Sequence, residues 1–239
     1  MSVLRCFVLL MVVLCAPVRS AIAVSLMNGS VLSMNGLNLT VSNCTLILAG
    51  WQQTSCAAGN LSLQAVSGGR GTVSYQIAGN GGGANGTNIF SAVGGGSHNS
   101  GLYQLSFTLG VATNQPGSTV SSANLTTYGS DNYGCWRYCD STVTTSQSFS
   151  VAAGGGNLKA DLLSAPAASL ILAKASAFTI NETVTMNSFG PEQYAEHHDK
   201  ETIVLSSVRQ TFATAPEPAT ITLLLVGIGG LAVVRRRRC

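Results

Sequence analysis

The chain has 239 residues, 46% hydrophobic and 9% charged, with 27 glycines and a formal net charge of +3. A soluble cytosolic protein carries roughly 25% charged residues, and charge-driven disorder needs low hydrophobicity, so both classes are excluded. A nucleic-acid partner would need the basic residues on one folded face; instead they gather at the two ends, and residues 24–215 hold six basic against eight acidic side chains.

Residues 1–23 open with Arg5, continue through an apolar run from Cys6 to Val18 and finish Ala21-Ile22-Ala23. A positive start, a short apolar core and a small-x-small ending are the parts of a secretory signal peptide. Cleavage is expected after Ala23, with Ala21 and Ala23 as the small residues of the site. The implied partner is the secretion translocon.

The next segment, 24–214, reads as one β-rich exported domain. Ser, Thr, Asn and Gly make 84 of the 192 residues from 24 to 215, and no acidic residue precedes Asp131. Thr favours strands, while Gly and Asn favour turns. Leu37, Leu39 and Val41 alternate with polar residues, as do Val73, Tyr75 and Ile77. Tyr103, Leu105, Phe107, Leu109 and Val111 form a longer series, and Val143, Phe149 and Val151 share a parity with Thr145 and Gln147. Phe178, Ile180, Val184 and Met186 make a further one. This period of two marks half-buried strands of an antiparallel sheet. Gly/Asn/Ser clusters at 67–71, 79–88, 94–101, 129–134 and 153–157 punctuate them. An antiparallel β-sandwich or an open barrel is expected. Short helices are expected at 158–164 or around 191–199, where Pro191 suits a first helical position.

Four cysteines lie in the exported region, and their spacing favours Cys44 with Cys56 and Cys135 with Cys139. The compartment favours disulfides, and the spacing fits no common zinc pattern. Gly81-x-Gly83-x-x-Gly86 matches a dinucleotide fingerprint formally, but more Gly and Asn follow where a helix should open. It reads as a loop, and no cofactor is implied. Glu192, Glu196, His197, His198 and Asp199 form the densest titratable cluster; a secreted hydrolase or metalloenzyme would be centred on it and His98. No HExxH, GxSxG or SxxK spacing supports one, so the expectation is a solvated turn, no catalytic set and no metal. Within 131–140, Tyr133, Trp136 and Tyr138 could stack on sugar rings, and Asp131, Asn132 and Asp140 could hold calcium. The competing reading is a disulfide-closed loop whose Trp136 caps the core.

Segment 215–239 begins Ala215-Pro216-Glu217-Pro218, continues with an apolar run from Ala219 to Val234, and closes on Arg235, Arg236, Arg237, Arg238 and Cys239. Sixteen apolar residues make a helix of about 24 Å, slightly short of a ~30 Å hydrocarbon core. Snorkelling arginines can close the gap, and their charge keeps this end in the cytoplasm. One short transmembrane helix is therefore expected. Pro-Glu-Pro, the short Gly/Leu/Val-rich span and the terminal Arg block resemble the bacterial PEP-CTERM protein-sorting signal. That resemblance implies export, temporary inner-membrane anchoring and processing by an exosortase-type protease. Pro216, Glu217 and Pro218 would then be the motif that a processing enzyme recognises.

The leading expectation is a non-enzymatic cell-surface or extracellular-matrix protein. The biofilm role, with exopolysaccharide as a partner, follows from the resemblance alone. A carbohydrate-binding or adhesion module using 131–140 is one alternative. A secreted hydrolase or metalloenzyme is the other.

Overall fold

The computed structural model describes residues 22–34, 36–48, 53–66, 71–80, 87–94, 101–132, 142–151, 155–188 and 201–215. In chain order the strands are β1 (Ala23–Ser25), β2 (Val31–Met34), β3 (Leu37–Ile47), β4 (Gln53–Ser55), β5 (Leu61–Val66), β6 (Thr72–Gly79) and β7 (Phe90–Gly94). They continue with β8 (Gly101–Thr113), β9 (Thr119–Asn132), β10 (Thr142–Ser150), β11 (Gly156–Asp161), β12 (Ala167–Ala175), β13 (Ala177–Ser188) and β14 (Glu201–Ala215). Among the described residues the helical element is one 3-10 turn, Cys56–Gly59.

Two antiparallel seven-stranded sheets result. The first runs β1-β5-β6-β14-β9-β12, with β7 beside the first part of β14 in line with β6. The second runs β11-β10-β13-β8-β3-β2, with β4 beside the end of β3. The sheets are separate, so the architecture is a sandwich and not an open barrel. A single apolar core contains Tyr75, Phe90, Leu125 and Phe212 from the first sheet and Leu39, Leu105, Phe149 and Ile180 from the second. Phe178 meets Phe212 edge-on across the interface, with ring centroids 5.7 Å apart. Fully burying each such side chain contributes about 1.5–3 kcal/mol, so the inward positions decide the fold.

The expected alternations in β3, β6, β8, β10 and β13 are inward-facing as read, with Tyr103 and Val151 only half-buried. Other expectations need correction. Residues 158–164 are not helical: Leu158 and Ala160 are buried in β11 between exposed Asn157 and Lys159, a strand alternation. The Asp161 carboxylate then accepts the Leu163 and Ser164 amides (3.0 and 3.1 Å) and turns the chain toward β12. The 129–134 cluster does not begin with a turn, because β9 continues to Asn132. Gly79 and Gly156 likewise belong to strands.

Gly129 has a packing reason. A Cβ there would strike the Val204 carbonyl oxygen, because β9 and β14 approach closely beside an irregularity between Leu205 and Ser207. A bulge of this kind gives one strand an extra residue and changes which side chains point inward. Ile203 and Leu205 are buried before it, and Val208, Gln210 and Phe212 after it.

Cys44 and Cys56 form a disulfide that ties β3 to the 3-10 turn. Cys135 and Cys139 lie outside the described residues. Ala23 opens β1 opposite Gln64, and the Ile22 carbonyl accepts the Ala65 amide at 2.8 Å. Cleavage after Ala23 would leave β1 the rungs Val24–Leu63 and Ser25–Ser62.

Candidate functional site: the end of the last strand

β14 runs between β6 and β9 and stays paired to its last residue. Ala213 lies opposite Thr72, and Ala215 opposite Thr119. The Thr214 amide and hydroxyl both donate to the Gly71 carbonyl, at 2.8 and 3.3 Å. Gly71 has φ +72°, a conformation that favours glycine, and it turns the chain into β6 against this last rung. The next residue is Pro216, which has no amide to donate and holds the residue before it extended. The described ladder runs to Ala215, and Pro-Glu-Pro follows it in sequence with no linker between them.

This end of the sandwich, the exit pole, is assembled by register. It holds the start of β6 and the β8–β9 hairpin, Asn114–Ser118. It also holds the ends of β12 and β10, the start of β13 and the start of β3. Asn114, Gln115 and Pro116 are exposed at the hairpin tip. The tip is held in place: the Asn114 amide donates to the Gly36 carbonyl (3.0 Å), and its side chain donates to Met34 O and Asn38 Oδ1.

The opposite, far pole holds the ends of β9 and β13 and the starts of β8, β10 and β14. Tyr133, Trp136 and Tyr138 fall in 133–141, outside the described residues. The strand ends that flank them, Asn132 and Thr142, are both at the far pole. The cluster Glu192, Glu196, His197, His198 and Asp199 also lies outside the described residues; the strand ends that flank it in sequence, Ser188 and Glu201, are at the far pole. His98, Gly81, Gly83, Gly86, Ala21, Pro216, Glu217, Pro218 and Arg235 to Arg238 lie outside the described residues as well.

One titratable side chain that the pattern reading passed over is central. Glu182 occupies the inward position between Ile180 and Val184 and is buried. Gln147, directly opposite on β10, donates to its Oε2 at 2.8 Å, and Tyr75 of the other sheet donates to the same atom at 3.2 Å. Burial raises the carboxyl pKa to about 7, while the two hydrogen bonds favour the charged form and pull the other way. Tyr75 is pushed well above its usual value, by burial first and then by Glu182. Glu182 Oε1, Gln147 Oε1, Thr145 Oγ1 and both amide atoms of Gln210 are buried without a protein partner. The signal was present in sequence: residue 182 shares the parity of Phe178, Ile180, Val184 and Met186.

The outer face of the second sheet is paved with hydroxyls and amides. Thr108 donates to Asn181 Oδ1 at 2.9 Å, and Ser106 to Thr183 at 3.4 Å. Toward the exit pole a wide-open depression of about 440 Å³ lies among Asn38, Thr40, Gly110, Ala112, Ala177 and Thr179. Its walls mix the polar Asn38, Thr40 and Thr179 with the small apolar Gly110, Ala112 and Ala177, and carry no charged side chain. Among the described residues, no three His, Cys, Asp or Glu side chains gather where a metal could be held.

Residues 214–238 match the model of the PEP-CTERM protein-sorting motif. The match begins at Thr214, so it overlaps the last rungs of β14. Such a motif marks an exported chain whose precursor is anchored in a membrane and passed to an exosortase-type protease. No curated protein matches the chain.

Proposed function

We propose that the chain is a non-enzymatic surface or matrix protein. Its sandwich is exported behind residues 1–23, held at the membrane by 219–234, and released from that anchor by processing at Pro216-Glu217-Pro218. The observation that carries this reading is the direct junction between β14 and the sorting motif. A fully paired strand delivers the motif to the edge of a finished domain. The composition agrees: a continuous apolar core is wrapped in Ser, Thr and Asn faces suited to an exterior with little charge.

The test is mass spectrometry of the C-terminus in the native host. The mature wild-type protein should lack 219–239, and Glu217→Ala should keep it and accumulate in the membrane fraction. A wild-type protein that retains the tail would refute the processing step.

An adhesion role is the second reading. It is favoured by the position of Asn132 and Thr142, which puts both ends of the aromatic connection at the pole away from the anchor. Trp136→Ala should then abolish retention on immobilised exopolysaccharide while leaving thermal unfolding unchanged. Equal retention of the two proteins would remove this reading.

A further inference from the structure

We propose that the exit pole of the sandwich is a membrane-docking surface, seated on the headgroups of a bilayer containing anionic phospholipid before the tail is cut. The inference rests on the anchoring reading above and adds an orientation and a contact surface to it.

Reach is the first argument. Four residue steps separate Ala215, still paired to Thr119, from Ala219, where the apolar run begins. Fully extended, they span at most about 14 Å. The headgroup layer takes up about 5–8 Å of that on each side of the hydrocarbon core. The last rung of the sheet therefore cannot stand more than about 10 Å off the headgroups. The Asn114–Ser118 hairpin continues beyond Thr119, which shares that rung, so its exposed tip of Gln115 and Pro116 closes the remaining distance. Because β14 is paired to β6 as far as Ala213 and to β9 as far as Ala215, the connection from the sheet to the apolar run is no longer than residues 216–218.

Charge is the second argument, and it is independent of reach. Eight acidic residues lie between 24 and 215. Glu182 is interior. Asp131, Asp161 and Glu201 take strand positions in the far half, at the rungs Ile203–Asp131, Thr144–Asp161 and Glu201–Gly94. Asp140, Glu192, Glu196 and Asp199 belong to the connections 133–141 and 189–200, which join strand ends at the far pole. The connections at the exit pole (34–37, 66–72, 113–119, 150–156 and 175–177) contain no Asp or Glu. Exposed Lys174 stands there, one residue before the Ala175–Val120 rung. Among the described strand positions, Lys174 stands at the pole that meets the headgroups and Asp131, Asp161 and Glu201 stand in the other half, while Glu217 of the motif follows in the short reach between the last rung and the apolar run. Each cation near such a surface contributes attraction that falls off within a Debye length.

The experiment places a benzophenone-bearing residue at Gln115 or, as the far-pole comparison, at Leu102. The full chain is reconstituted in vesicles of phosphatidylethanolamine and phosphatidylglycerol, illuminated, and its adducts are identified by mass spectrometry. Lipid adducts should form at Gln115 and be at least several-fold rarer at Leu102. Lys174→Glu should lower the Gln115 yield about two- to five-fold at low salt and much less at high salt. Equal labelling at the two positions, or adducts to a second copy in place of lipid at Gln115, would overturn the docking surface while leaving the anchor intact. A chain that washes off the vesicles in alkaline carbonate would overturn the anchor, and the docking surface with it.

Discussion

The Tyr75 hydroxyl crosses from one sheet to donate to the Glu182 carboxylate on the other, at 3.2 Å, and both residues are buried. Gln147 donates to the same oxygen, and no basic side chain is among its hydrogen-bond partners. From β8 it is Phe107 that lies opposite Glu182, and from β14 Gln210 lies opposite Tyr75. A buried charge without a counter-charge is costly, so the carboxyl holds its proton to a higher pH than usual.

The pH dependence follows with a definite sign. The folded pKa of Glu182, about 7, lies above its ordinary value of 4.5. Its contribution to stability is therefore complete below about pH 4.5 and is lost as pH rises through about 7. The full effect is on the order of 3 kcal/mol. Denaturant midpoints of wild type and Glu182→Gln, measured from pH 4 to 9, should diverge across this window, with the variant flatter and more stable at the alkaline end. Parallel profiles would show that Glu182 does not take up a proton on folding.

Tyr75→Phe removes one of the two hydrogen bonds that favour the charged carboxylate. The midpoint of the Glu182 titration, followed by the infrared carbonyl band of the protonated acid, should move upward. Stability at acidic pH should fall by about 1 kcal/mol. A midpoint that stays in place would deny the hydroxyl this role.

Gly129→Ala should destabilise the first sheet, because the added methyl meets the Leu162 side chain and also the backbone of Val204, which cannot swing away. Overpacking of this kind costs about 1–3 kcal/mol. The loss should appear in the denaturant midpoint without a change in slope. A wild-type midpoint would mean that β9 and β14 separate there at no cost.

Replacing both Cys44 and Cys56 with Ala removes a crosslink across 12 positions of sequence. A closed loop of about this size contributes roughly 3 kcal/mol by restricting the unfolded chain. The melting temperature of the oxidised protein should fall accordingly. Reducing agent should then lower the melting temperature of the wild type by more than that of the variant.

What could be read beforehand divides along physical lines. Tyr103 to Val111 and Phe178 to Met186 were legible because each keeps one parity along an unbroken ladder. β14 was not, because its bulge moves the buried set from Ile203 and Leu205 to Val208 and Phe212, which erases the period of two. Glu182 was hidden by its type, since a carboxylate at an inward position looks like an interruption of the pattern. The choice between sandwich and barrel depended on pairings such as Ser74 with Thr211 and Leu39 with Val111, which join distant segments and leave no local trace. The sorting segment was legible because its signal is linear. That Asp131, Asp161 and Glu201 all take rungs away from the exit pole emerged only once register assigned each strand end to a pole.

The place of β14 in its sheet also sets the order in which the domain can be made. It is the last strand of the sandwich to leave the ribosome, yet it separates β6 and β7 from β9 and β12. Until residue 215 has crossed the membrane, that sheet exists only as halves with open edges. By then the next stretch to emerge is the apolar run itself. On the anchoring proposed above, closure of the first sheet and arrest of the tail in the bilayer are nearly simultaneous events, and the chain remains threadable for almost the whole of its passage.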